Sequence, residues 1–468
     1  MTHVAEHRRA SPVGREAHAA RDLRPRVVVI GGGFTGLAAA FELARGGARV
    51  TVLEADQELG GLAGSFVVNT GAPHPARLEK FYHHWFTGDT DVVDLAQALG
   101  VADRVERRST QTGMYYARSI HRLSNPLDVL RFSPLRLADR VRLGRLALRA
   151  RRVKDWARLD DMTAQEWLLR LGGPEVYRVV WAPLLEGKFG PYARDVSAVW
   201  MWNKLKLRGG SRSRSGGESL AYFRGGFAAL AERLADEVRR LGGAVRVGTP
   251  ATALLVRDGH VAGVETAAGR LRADAVVATP ALPIVADLVE PHAPREYIAQ
   301  LRRIEYLANV CLVLELDRPL SSTYWLNVND PGFPFVGVIE HTNFEPAAAY
   351  GGRHIVYLSK YLATSTPLYQ MADADVVAFA LPHLARMFPK FDPSWVAAAH
   401  VWRARYAQPI VVRNYSALIP PMETPIAGLY LSTMAQIYPE DRGTSYAIRD
   451  GRRVGRVVAA AVSTRSAE

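Results

Sequence analysis

Near its N-terminus the chain runs through four apolar residues, Val27-Val28-Val29-Ile30. It breaks at Gly31-Gly32-Gly33-Phe34-Thr35-Gly36 and continues as small and apolar residues at helical density, Leu37 to Arg45, closing on Gly46-Gly47. A second strand-length run, Val50 to Leu53, ends on Glu54. Runs that are apolar on both faces and separated by a helix predict a parallel βαβ unit buried beneath helices. Farther on, Asp89 to Leu99 reads as a helix stopped by Gly100, while Phe66 to Lys80 shows no strong periodicity. Leu127 to Leu171 is helical in pattern, and Thr163-Ala164-Gln165-Glu166 forms a capping box before Trp167-Leu168. Phe227, Leu230, Leu234, Val238 and Leu241 share one helical face that ends at Gly242-Gly243. Strand patterns follow: one from Gly243, a hairpin of Leu254–Val256 and His260–Glu265 around Asp258-Gly259, and a returning strand before Pro280. Tyr306 to Glu315, Phe335 to Glu340 and His354 to Lys360 predict a later sheet.

The glycines of the first turn carry chemistry as well as conformation. Gly31 permits the tight turn, Gly33 lets backbone approach a pyrophosphate at the helix N-terminus, and Gly36 allows close packing of helix on strand. Phe34 and Thr35 supply further N–H groups there. Glu54, about 20 residues beyond Gly31, is placed to accept ribose hydroxyls. A second Gly-rich turn, Leu59-Gly60-Gly61-Leu62-Ala63-Gly64, follows beside the same crevice and can present N–H groups to a phosphate. A site of the NAD type has no need of that second turn.

With the late strand, hairpin and returning strand, the chain resembles the superfamily of flavin-dependent amine oxidases, protoporphyrinogen oxidases and phytoene desaturases from Arg26 to about Ala460. The resemblance implies an α/β fold, a Rossmann-like FAD-binding domain of the glutathione reductase type interleaved with a mixed-sheet substrate domain and a helical insert. It divides the chain into a tail (1–25), a discontinuous FAD domain (26–80, 218–290 and 415–460), a helical insert and substrate region (81–217) and a substrate sheet (291–414). FAD is the cofactor implied. The late segment, with Ala251 and Thr279, completes its domain, and Ala427 to Leu431 with the helix start at Tyr446, Ala447 and Ile448 forms the last flavin-contacting piece.

Two departures widen the choice of reaction. These flavoproteins usually carry a Gly-Asp pair after the final strand, where this chain has Thr433-Met434. Its Asp441 comes later, in Ile437-Tyr438-Pro439-Glu440-Asp441-Arg442-Gly443, a stretch similar to one in UDP-galactopyranose mutases. Leu62 also replaces an Arg found in many amine oxidases. Two reactions therefore stay open: transfer of hydride from an organic substrate to flavin N5 with C=C or C=N formation, and a non-redox isomerisation of a sugar nucleotide.

The cofactor carries the hydride chemistry, so few acid–base groups are needed. His83 and His84, in Tyr82-His83-His84-Trp85, follow the second Gly-rich turn where the superfamily passes the flavin. Adjacent strand residues face opposite ways, so one of the two faces the ring, and proton transfer is its natural role. Lys188, after Trp181-Ala182-Pro183-Leu184-Leu185, either holds an anion or water near the flavin or is a surface lysine. Arg208, Arg212 and Arg214, at and within the Gly/Ser segment 209–217, suit phosphate or carboxylate, and a solvated loop is the alternative. Tyr406, Gln408 and Arg413 lie on the return strand and are candidates for the substrate wall.

Composition adds one feature. The 468 residues carry a formal charge of +13, and Arg136, Arg140, Arg145, Arg149 and Arg152 recur at helical spacing within 134–153, an amphipathic pattern that either meets anionic membrane or is a solvated face. No run of about 18 apolar residues is present to span a bilayer. No nucleic-acid-binding module is evident. Cys311, the sole cysteine, sits in an apolar strand, which argues against disulfide, metal or thiol chemistry. Met1 to Pro25 reads as a polar, disordered tail without the apolar segment of an export signal, which places the protein in the cytoplasm, with peripheral contact at the membrane's inner face as its one association with lipid.

Overall fold

The first apolar run becomes the centre of a five-stranded parallel sheet in the computed structural model, which describes residues 24–68, 76–123, 125–210 and 218–465. Arg26–Ile30 pairs with Arg49–Leu53 on one side and Ala275–Ala278 on the other. Ala244–Arg246 and Leu429–Leu431 complete the edges. The crossover helix Phe34–Arg45 is buried along most of its length, which explains its alanines: only a narrow side chain lets it sit on the sheet beneath a second helix. That second helix, Thr444–Arg465, begins three residues before the expected Ala447 and lies directly on the first. A Cβ at Gly451 would fall 2.2 Å from the Thr35 carbonyl oxygen, and one at Gly455 2.6 Å from that of Ala39, so these two glycines set the helix spacing.

A seven-stranded mixed sheet forms the second layer, in the order Val396–Pro409, Tyr306–Leu316, His354–Leu362, Gly337–Glu340, Trp325–Val328, Thr112–Tyr116 and Ser119–Arg122. The last two strands come from a part of the chain that precedes the helices, so the sheet is assembled across more than 200 residues through the parallel pair of Trp325 and Thr112. Cys311 is fully buried in the second strand of this sheet, opposite Ser359 and Trp402. The aperiodic stretch after Phe66 holds the short antiparallel strands Ser65–Val68 and Ala76–Glu79, four residues each and too brief for alternation to show.

The helical region resolves into Pro126–Arg131, Leu137–Arg152, Ala164–Val176, Ala182–Phe189 and Ala198–Gly210. The capping box forms as the sequence predicts: the Glu166 N–H donates to Thr163 Oγ1 (3.2 Å) and the Thr163 N–H to Glu166 Oε2 (2.8 Å). These helices stand over the junction of the two large sheets. Residues 1–23, most of the expected tail, lie outside the described residues, as do 211–217 of the Gly/Ser segment. Among the described residues, no helix is long and apolar enough to cross a membrane.

Candidate functional site

Two concave regions meet at the junction. The first is the crevice at the carboxyl end of the parallel sheet, where α/β folds bind ligands. Gly31 takes a φ of 106° and donates its N–H to the Leu53 carbonyl (2.8 Å), which turns the chain from strand to helix. Gly36 is required by that turn, since a Cβ there would lie 1.9 Å from the Gly31 carbonyl oxygen. Gly31 in turn faces Thr279, whose hydroxyl donates to the Ile30 carbonyl (2.8 Å). Glu54 accepts the N–H groups of Gly32 (2.6 Å) and Asp56 (2.8 Å), and its own carbonyl accepts from Thr249 (2.7 Å), which brings the strand beginning at Ala251 alongside the acid.

The second Gly-rich turn closes on the first. Gly60, at φ 107°, donates to the Gly32 carbonyl (3.0 Å), and a Cβ on Gly61 would reach 3.3 Å from Gly33 Cα. Leu62 and Ala63 follow in the short helix Gly61–Ala63. Gly33 itself is different. The nearest atom to a Cβ at Gly33 is 3.8 Å away, so the protein alone leaves room for a side chain there. Gly33 caps the helix without any side-chain bond, and Phe34, Thr35 and Gly36 occupy the first turn, whose N–H groups have no intrahelical acceptor. An open cradle of unpaired donors at a positive helix end fits a pyrophosphate, and the acid beside it fits a ribose.

The second region is a cavity of about 710 Å³. It gathers Leu62, His83, His84, Lys188, Asp441 and Tyr446, six residues from four separate stretches that the sequence marked as candidates. Ala447 and Ile448 lie beside Tyr446 in the first turns of the C-terminal helix, Ile448 packed into the core. Both histidines reach the cavity wall. His83 Nδ1 meets the Phe81 carbonyl (2.6 Å), and burial pushes its pKa down to about 4, so the ring is neutral. His84 Nδ1 meets the Tyr324 hydroxyl (2.9 Å), and its ring stands edge-on to Trp325.

Lys188 is not a surface lysine. Its ammonium lies 3.5 Å from Asp441 Oδ2 and over the rings of Trp200 (4.7 Å) and Tyr361 (5.2 Å). Burial pushes its pKa down to about 7; Asp441 opposes that shift, while Lys204 and Arg442 add to it. Asp441 also meets Lys204 (2.6 Å) and accepts from Gln408 Nε2 (3.1 Å). Burial alone would raise its pKa, but Lys188, Lys204 and Arg442 outweigh it and hold the carboxyl well below the usual range. Arg442 bridges Gln408 Oε1 (3.0 Å) and the Tyr361 hydroxyl (2.7 Å).

Gln408 thus supports the wall from behind, fully buried. Tyr406 does not line the cavity: its ring packs edge-to-face on Tyr306 (5.6 Å), and Ala407 lines the cavity in its place. Arg413 is paired with Glu166 (2.6 Å). Arg208 ends the helix Ala198–Gly210 with its side chain outside the described residues, and Arg212 and Arg214 lie outside them altogether. Sequence reasoning missed Lys204, Arg442 and Tyr361. Lys204 stands about one helical turn before Arg208, and Arg442 adjoins Asp441, but nothing in their spacing marks them as partners. Elsewhere the wall is largely apolar, including Met114, Val129, Leu185 and Met201, with Asp89, Arg140, Arg151 and Asn327 among its other polar members; Asn309 Oδ1, Trp181 Nε1 and Trp200 Nε1 are buried polar atoms of lining residues with no protein partner. No group of acidic, histidine or cysteine side chains suited to a metal ion occurs among the described residues.

Comparison with known proteins bears on both regions. Residues 34–459 match the family described as flavin containing amine oxidoreductase. A phytoene dehydrogenase from Streptomyces griseus is 28% identical over 316 residues, 57% of this chain and 57% of that protein. The chain therefore spans a little over half the length of that relative. Among solved structures, a protein provisionally described as a protoporphyrinogen oxidase from Exiguobacterium sp. superposes with a TM-score of 0.73 at 18% identity, covering 93% of this chain and 99% of that one. Reduced UDP-galactopyranose mutase gives 0.71 at 15% identity, covering 93% and 96%. Wild-type putrescine oxidase bound to putrescine gives 0.67 at 16% identity, covering 93% and 99%. At such identities the structures share the fold.

Proposed function

The chain belongs to the flavin containing amine oxidoreductase family, and within it we propose that this FAD-dependent enzyme oxidises an organic substrate with an apolar body and a short polar or anionic end, forming a C=C or C=N bond. FAD in the crevice supplies the hydride acceptor. The observation that carries this reading is the cavity itself: a largely apolar chamber in which Lys188, Asp441, Lys204 and Arg442 form one charged cluster, while Asp89, Arg140 and Arg151 line other parts of the wall. Loss of a hydride and a proton from adjacent atoms leaves a double bond, so the protein has one proton to remove. With its pKa near 7, Lys188 is partly neutral at physiological pH and can take that proton at Nζ. Asp441 and Gln408 fix the lysine's position. Lys204 and Arg442 draw the anionic end of a substrate toward it, and the apolar wall excludes water from the reacting carbon.

A second reading, a non-redox isomerase acting on a sugar nucleotide, draws on the same three cations and on the Asp441 stretch. The largely apolar wall favours the first, because beyond a few groups such as Asn309, Trp181 and Trp200 it offers little to the many hydroxyl groups of a sugar nucleotide. The two are separated by mixing oxidised holoenzyme anaerobically with apolar amines, isoprenoid hydrocarbons and UDP-sugars. Bleaching of the flavin band by an apolar substrate supports oxidation. Turnover of a UDP-sugar by dithionite-reduced enzyme alone, with no oxidised product, overturns it.

A further inference from the structure

The cavity reaches the surface between Pro126–Arg131 and Leu137–Arg152: Leu130, Val141 and Leu148 line it and are also about half exposed. Large apolar side chains are concentrated there. Of eleven exposed among the described residues, five lie on these two helices: Leu127, Leu130, Leu137, Val141 and Leu148. Leu137–Arg152 buries Asp139, Leu143, Leu146 and Ala150 on its inner face. At about 100° per residue, Leu137, Val141 and Leu148 fall within roughly 40° of one another on the opposite face.

A helix solvated on its outer side carries polar residues at the centre of that side. Here the centre is an apolar stripe, with Arg145, Arg149 and Arg152 along one flank and Arg140 and Arg151 along the other. Among the described residues no ion pair involves Arg145, Arg149 or Arg152, whereas Arg142 is paired with Asp139 (2.7 Å) and Arg140 donates to the Leu135 carbonyl (2.7 Å). An apolar stripe between cationic flanks matches a layer of anionic headgroups over hydrocarbon.

We propose that this face docks on an anionic lipid bilayer, which sets the mouth of the cavity against the hydrocarbon boundary. The leucines enter the acyl region, the arginines meet the phosphates, and an apolar molecule passes between bilayer and cavity without crossing water. The docking is independent of the reaction proposed above, because it is read without substrate.

The test is co-sedimentation of flavin-loaded protein with vesicles of phosphatidylglycerol or of phosphatidylcholine. The wild type should bind the first at low salt and lose most binding at high salt, where the screening length falls to a few Å. Combined Arg145→Glu, Arg149→Glu and Arg152→Glu should weaken binding by more than about tenfold. The same reversals at Arg239, Arg270 and Arg318, on other elements, should change it little. Leu127→Ser with Leu137→Ser should weaken binding at intermediate salt while leaving flavin content unchanged. Excess glycerol phosphate should not displace the protein. Equal binding to both vesicles, binding to neither, equal loss in the control reversals, or displacement by glycerol phosphate would each overturn the proposal.

Discussion

In the nucleotide crevice the working groups are backbone N–H groups and absent Cβ atoms, all but a few from residues 31–36 and 54–64. In the cavity they are side chains drawn from five distant stretches: His83 and His84, Lys188, Lys204, Tyr361, and Asp441 with Arg442. The crevice holds a ligand by shape and dipole and needs no titratable group to change state. The cavity is largely apolar, with its densest charge where the Asp441 carboxylate meets three cations, and burial there moves Lys188 to a pKa of about 7. Binding and chemistry are thus assigned to different materials, and each can be damaged without the other.

The sharpest division lies inside the crevice, between two glycines of one motif. Gly36→Val would force a Cβ to within 1.9 Å of the Gly31 carbonyl oxygen, a backbone clash that should cost about 3 kcal/mol or more and abolish flavin binding together with much of the fold's stability. At Gly33→Asp the new Cβ would meet no protein atom closer than 3.8 Å; the variant should purify folded, with the far-ultraviolet spectrum of the apo protein, yet without flavin, because its carboxylate takes the pyrophosphate's place. Thermal unfolding and flavin-to-protein absorbance separate the two. A Gly33→Asp protein that retains its flavin would show that the pyrophosphate does not lie against Gly33.

In the cavity, Lys188→Met should leave flavin content intact and slow substrate oxidation by about 10²–10⁴-fold, the usual worth of a positioned proton acceptor. Lys188→Arg should not rescue it, since a guanidinium keeps its charge without accepting a proton. Single-turnover reduction of the flavin checks both. Asp441→Asn should have a smaller effect with a defined sign: Asp441 holds the lysine's pKa up, so its loss should move the pH dependence to lower pH while Lys204 and Arg442 lose their counter-ion. A shift to higher pH would contradict the assignment. Smallest of all, Thr163→Ala removes a helix cap behind the cavity and should cost about 1 kcal/mol in denaturant unfolding without altering flavin content.

The same contrast explains what could be read from the chain. Gly31, Gly33, Gly36 and Glu54 form a local pattern, because strand, turn and helix are consecutive and each glycine answers to a neighbour within a few residues. The parallel sheet, the capping box at Thr163 and the burial of Cys311 were legible for the same reason. The insert's two strands of the mixed sheet were not: Thr112–Tyr116 owes its place to a partner at Trp325, and no local periodicity reports that. Lys188 showed only as a lysine after an apolar run. Its depressed pKa arises from Trp200, Lys204, Tyr361 and Arg442 closing around it, which only the assembled fold brings about. Tyr406 misled because strand alternation and a register shift between Leu307 and Asn309 decide which side chain meets the cavity.

The division between a crevice that holds the flavin and a Lys188 that takes the proton shows itself in the rate of flavin reduction as a function of pH in wild-type and Lys188→Met holoenzyme. Because burial lowers the lysine's pKa from its ordinary value to about 7, the neutral amine is present above that pH and lost below it. The wild-type rate should therefore rise through an inflection near pH 7, and Lys188→Met, fully loaded with flavin, should be slow and lack the inflection. The same inflection in both proteins, or a wild-type profile flat through neutrality, would contradict the account.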